Sequence, residues 1–143
     1  MLRGIPDLIS PDLLKVLSEM GHGDDLVIGD LNFPAASNAK RLVRLDGHGV
    51  EPVLKAILAL FPLDIYVESP VSLMKVVPGD PTVPKIQDTI RGLVSVWDQR
   101  PSAVGLIDRF DFYEKARNAY AIVSTGETAL YACVILKKGV FGR

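Results

Sequence analysis

Apolar residues along this chain recur at two spacings, and the switches between them mark out helices and strands. Ser10-Pro11-Asp12 starts a helix, because the serine hydroxyl can cap free N–H groups and proline brings a helical φ without needing a partner for a donor. Leu13, Leu14, Leu17 and Met20 then share one face, and Gly21 suits a left-handed stop. Leu26-Val27-Ile28 is too short and too β-branched to continue as helix; it is expected to be a buried strand with Asp30 at its polar exit.

Beyond a loop through Asn32-Phe33-Pro34, a second short strand is expected over Arg41 to Leu45, with Asp46-Gly47-His48-Gly49 as the turn that follows. Val53, Leu54, Ile57, Leu58 and Phe61 return to helical spacing, closed by Pro62. Val71 to Val77 is expected as a strand, Pro78-Gly79-Asp80-Pro81 as a turn, and Ile86, Ile90, Leu93, Val94 and Trp97 as the apolar face of another helix. The last third repeats the alternation: a strand over Ala103 to Ile107, a helix over Phe110 to Tyr120, and strands over Ala121 to Val123 and Leu130 to Leu136 around Ser124-Thr125-Gly126-Glu127. Such alternation predicts an α/β fold with a largely parallel or mixed sheet and helices on its faces.

Composition narrows the function classes. The 143 residues, 48% of them hydrophobic, fit one domain over 1–143. Sixteen basic against seventeen acidic residues leave a formal charge of −1, so there is no broad positive field for nucleic acid or an anionic membrane, and a neutral partner is expected. The N-terminus lacks the apolar core of a signal peptide and no apolar run is long enough to span a bilayer, which predicts a soluble, cytoplasmic protein. One cysteine and two histidines argue against an internal disulfide or a zinc site, and no cofactor is expected.

Ligands of open α/β sheets collect beyond the strand ends, and three polar exits stand out: Gly21-His22-Gly23, Asp30, and Asp108-Arg109. His22 has the side chain best suited to give and take a proton near neutrality, and its flanking glycines leave it unshielded; a histidine at a helix end can equally serve only the helix dipole. His48 lies in a solvated turn. Arg109 could fork onto a hydroxylated or anionic ligand, or be a surface charge. Tyr131, in an expected apolar strand, suits the core with its hydroxyl satisfied locally, and Cys133 suits a small core residue rather than a nucleophile.

Taken together, Ile9 to Leu17, Met20-Gly21-His22-Gly23-Asp24, Asp30, Asn32-Phe33-Pro34-Ala35, Asp46-Gly47, Arg109-Phe110, Phe112-Tyr113-Glu114, Thr125-Gly126-Glu127, Tyr131 and Ile135 to Val140 resemble, nearly end to end, the family of D-ribose pyranase and L-fucose mutarotase. Asn32-Phe33-Pro34 looks like the fucose branch, since the ribose branch carries a Gly-Leu-Pro type loop there. The resemblance implies a three-layer α/β/α subunit, a homo-oligomeric ring, often a decamer, and active sites near subunit contacts. It implies His22 as proton donor, Asp30 and Arg109 as substrate-binding positions for a monosaccharide, and Tyr131 as the tyrosine of the C-terminal site; Tyr131 or a bound water is expected to complete the catalytic proton circuit, and Tyr131 and Cys133 to be further substrate-binding positions. One departure stands out: Tyr131-Ala132-Cys133 occupies the place where family members commonly read Tyr-Gly-Asn, so the asparagine amide is missing. Three activities stay open on these residues: interconversion of sugar anomers, the sister pyranase reaction on ribose, and sugar binding without catalysis.

Overall fold

The computed structural model describes residues 2–142. Along the chain it runs α1 (Pro11–Glu19), β1 (Asp25–Gly29), α2 (Ala35–Asn38), β2 (Leu42–Leu45), α3 (Val50–Leu58), β3 (Val71–Met74), α4 (Lys85–Ser95), β4 (Val104–Ile107), α5 (Arg109–Asn118), β5 (Ala121–Thr125) and β6 (Val134–Lys137). The six strands form one sheet in the order β2-β5-β1-β6-β3-β4. Only β6 runs antiparallel, pairing Val27 with Ile135 on β1 and Ser72 with Ile135 on β3; every other pairing is parallel.

Alternation along the strands splits the core into two layers. Leu26 and Ile28 of β1 and Val134 and Leu136 of β6 point to one face, where Leu13 and Leu17 of α1, Val53, Leu54 and Ile57 of α3, and Ile90 and Val94 of α4 pack. Val27, Ile122 and Ile135 point to the other, against Phe112 and Ala116 of α5 and Ala35 of α2. Helices on both faces of a mixed sheet make the expected α/β/α sandwich, and no helix among the described residues is long and apolar enough to cross a membrane.

Local chemistry explains the element ends and the departures from expectation. Ser10 caps α1 as expected, its Oγ accepting the Leu13 N–H at 3.2 Å. Gly21 is not the left-handed stop: Met20 leaves the helix extended (φ −62°, ψ 138°), and the positive φ falls two residues on, at Gly23 (+86°). The expected strand over 71–77 ends at Met74, and Trp97 lies beyond α4 as an exposed residue. The final strand does not begin at Leu130 but at Val134, because Tyr131 takes a left-handed conformation (φ 59°) that no ladder accommodates.

Candidate functional site

The polar residues of interest separate onto two edges of the sheet. The carboxyl ends of the parallel strands β1, β3 and β4 and the amino end of the antiparallel β6 meet at one edge. This edge holds a cavity of about 290 Å³ lined by Asp30, Phe33, Asp80, Arg109, Tyr131 and Cys133, among others. That volume is at the small end of ligand sites, which suits one sugar ring better than a nucleotide. Four of the five expected site residues therefore converge, from parts of the chain about 100 residues apart in sequence.

Asp30 follows β1 directly. Its own N–H donates to Cys133 Sγ (3.3 Å) and its Oδ1 accepts the Asn32 N–H (3.0 Å), so both backbone and carboxylate are held in place at the cavity wall. Burial drives the Cys133 thiol far above its usual range, with the nearby Asp30 charge adding to the shift. Such a thiol suits a neutral acceptor in the cavity lining, in line with a core residue rather than a nucleophile. Behind Asp30, Gly29 lets the Phe33 side chain pack closely, since a Cβ there would sit 3.0 Å from it and push it aside. Phe33 in turn stacks on Tyr113 with centroids 5.6 Å apart.

Arg109 is the first residue of α5, and its guanidinium lies 5.7 Å from the centroid of Tyr113 and 5.8 Å from that of Phe110. Among the described residues it makes no ion pair, so its donors remain available to a ligand. Tyr131 is not in a strand, which corrects the sequence expectation. Its carbonyl accepts from the Gln87 amide (3.1 Å), which also donates to Met74 O (2.9 Å). Its hydroxyl donates to Asp80 Oδ2 at 2.6 Å and accepts the Val77 N–H at 3.3 Å. These anchors at both ends of the residue offset a left-handed backbone that costs of order 1–3 kcal/mol. The Asp80 carboxylate holds the phenol above its ordinary range; hydrogen bonds from Thr82 and then Tyr131 hold Asp80 below its own.

Asp80 was hidden in the sequence, where Pro78-Gly79-Asp80-Pro81 signals only a turn; a carboxylate beside a cavity tyrosine needs the fold to be seen. His22 lies elsewhere. It precedes β1, whose five residues at about 3.3 Å each put roughly 16 Å of strand between it and the Asp30 edge. Within one chain the expected grouping of His22 with Asp30 is therefore not formed, because a strand that connects two residues also holds them at opposite ends. The ring is half exposed beside a separate cavity of about 430 Å³, shared with Met20, Pro62, Lys138 and Phe141, and its Nε2 lies 3.3 Å from Asp64 Oδ1. Lys138, lowered by burial, spends its ammonium on the carbonyls of Leu17 (2.7 Å) and Met20 (2.6 Å) at the end of α1.

The chain is 47% identical over 140 residues to an L-fucose mutarotase of Actinobacillus pleuropneumoniae, covering 98% of this chain and 97% of that one. It is 47% identical over 152 residues to the fucose mutarotase of Homo sapiens, covering 97% and 94%. Its fold superposes with a TM-score of 0.94 on a fucose mutarotase from Streptococcus pneumoniae solved in complex with L-fucose, at 50% identity over 99% of this chain and 100% of that one. The model of the RbsD / FucU transport protein family matches residues 3–141, and the chain belongs to that family.

Proposed function

We propose that this protein is a sugar mutarotase that interconverts the α and β anomers of L-fucose, an isomerase reaction. The observation that carries the reading is the convergence of Asp30, Arg109, Tyr131 and Asp80 on one small cavity. A carboxylate, an unpaired guanidinium and a phenol-carboxylate pair match the hydroxyl-rich, uncharged surface of a monosaccharide.

Anomer exchange needs a proton delivered to the ring oxygen as the C1–O5 bond breaks, and another removed from the anomeric hydroxyl to leave the open aldehyde. Rotation about C1–C2 and reclosure reverse both transfers, so nothing is consumed. Because Tyr131 already donates its proton to Asp80, its oxygen accepts the anomeric proton as its own moves to Asp80 Oδ2. His22 supplies the proton for the ring oxygen. Asp30 and Arg109 hold the remaining hydroxyls, and Cys133 forms the floor on which the sugar rests. Such positioned acid/base groups contribute about 100- to 10,000-fold, enough for a reaction that already proceeds in water.

His22 must then reach the sugar from a second copy of the chain, since its own strand holds it away from its own cavity. Apolar surface supports this arrangement: Leu130 lines the first cavity and Phe110 (79% exposed) lies beside its Arg109, while Phe141 (89% exposed) lines the His22 cavity and Tyr66 packs 5.7 Å from the His22 ring. Two such faces, each incomplete, fit a head-to-tail contact of the kind that closes into rings. The assembly is accordingly a homo-oligomer, a decamer by resemblance to the family, and its place of work is the cytoplasm.

The test is NMR exchange spectroscopy on L-fucose and D-ribose with wild type and His22→Ala. Accelerated fucose exchange that His22→Ala abolishes is expected. Exchange faster for ribose than for fucose would overturn the substrate, and a folded His22→Ala at full rate would remove the histidine from the reaction.

A further inference from the structure

Asp64 is an acidic side chain that neither composition nor motif singles out, yet it is only 2% exposed. It sits in the segment between α3 and β3 and faces a half-exposed imidazole: its Oδ1 lies 3.3 Å from His22 Nε2 and accepts the Tyr66 N–H at 3.0 Å. A buried carboxylate is costly to desolvate, so its few partners matter.

The segment carrying Asp64 is fixed from three sides. The chain beyond β6 bridges Leu63 to Lys138, the Asp64 N–H donates to Lys137 O (3.1 Å), and the Gly139 N–H donates to Pro62 O (2.8 Å). Gly139 permits that approach, because a Cβ there would meet the Leu63 carbonyl and would lie 2.8 Å from Asp64 Cα. On another side, the Arg100 guanidinium donates to Asp64 O (3.3 Å) and Val67 O (2.9 Å) while held by the half-buried Asp98 at 2.7 Å. The Asp98 carboxylate, with the Asp64 charge adding to it, holds the Arg100 guanidinium above its ordinary range.

We infer that Asp64 is a positioning residue that fixes the tautomer of His22, holding the Nε2–H on its Oδ1 and leaving Nδ1 as the atom that exchanges a proton with the sugar. A carboxylate accepts and does not donate, so the ring nitrogen facing it must carry the hydrogen. The neutral ring then presents a bare Nδ1, and a proton taken up at that atom is the one the ring passes to the sugar ring oxygen, to be returned on reclosure. This inference rests on His22 being the acid/base group of the proposed reaction, but its first test does not use activity.

In a His48→Gln background, which leaves His22 as the one histidine, ring 15N NMR at about pH 8 is expected to show the Nε2–H tautomer; a dominant Nδ1–H tautomer would overturn the inference. Asp64→Asn keeps the shape of the side chain and is expected to mix the two tautomers and to lower kcat about 10- to 100-fold with KM little changed. An Asn variant with the wild-type tautomer and kcat would sink the assignment even while His22→Ala remains inactive. A fully active His22→Ala would instead remove the reaction it serves, leaving the tautomer measurement to stand or fall alone.

Discussion

The hydroxyl of Tyr131 donates to Asp80 Oδ2 across 2.6 Å, a short charge-assisted bond between a left-handed residue before β6 and a turn residue 51 positions earlier. The phenol proton is therefore committed before any ligand arrives. If Tyr131 and Asp80 act as one relay, removing either should do nearly all the damage. Tyr131→Phe and Asp80→Asn are each expected to slow L-fucose exchange about 100-fold, and the double variant to be little slower than either single one. Additive losses in NMR exchange rates would show two independent roles.

The same pair predicts a pH dependence of stability. Hydrogen bonds from Thr82 and Tyr131 hold Asp80 below the ordinary carboxylate value of about 3.9. A group whose folded value is depressed stabilises the fold above its unfolded value, and that contribution disappears as pH falls through the lower folded value. Wild type should exceed Asp80→Asn in urea-unfolding midpoint by a constant margin from about pH 7 to 5, with the margin shrinking below about pH 4. A margin unchanged at acid pH would mean the side-chain charge contributes nothing. Tyr131 moves in the opposite direction, raised first by its bond to Asp80, so its phenol stays protonated well into alkaline solution.

Cys133 tests how the cavity floor is built. Burial raises its thiol, and its Sγ accepts the Asp30 N–H at 3.3 Å, so it should be inert as a nucleophile and useful as a support. Alkylation by iodoacetamide at about pH 8.5 is expected to be at least about 100-fold slower in the native protein than in urea. Cys133→Ala leaves the Asp30 N–H without an acceptor, with an expected loss of about 1–2 kcal/mol in stability and a several-fold rise in KM for L-fucose. An unaltered KM would detach the thiol from the placement of Asp30.

Asp30 and Arg109 were legible in the chain because they come one and two residues after short apolar strands, and parallel strands deliver such residues to one edge. The helix-strand alternation was legible for the same periodic reason. His22 carried the needed signal too: it precedes the strand that Asp30 follows, so direction alone puts the two on opposite edges. Tyr131 looked like a strand residue because its neighbours are apolar, whereas anchors from Gln87 and Asp80, remote in sequence, impose its positive φ. Asp64 had no local sign at all, since its place beside His22 depends on contacts with Lys137 and Lys138, more than 70 residues further along the chain.

The opposite placement of His22 and Tyr131 yields the strictest test of the proposed assembly. Suppose each site takes His22 from one copy and the cavity with Tyr131 from its neighbour. His22→Ala, and Tyr131→Phe with about a hundredth of the wild-type rate, would then complement one another when co-assembled from equal amounts. Random mixing leaves about a quarter of the sites with both native residues, so about a quarter of wild-type L-fucose exchange should return after the two are unfolded together and refolded. Mixing without subunit exchange should restore nothing, which separates shared sites from simple contamination. Were one chain to supply every group of its own site, no mixture could contain an intact site, and exchange would stay at the level of the parents under both protocols.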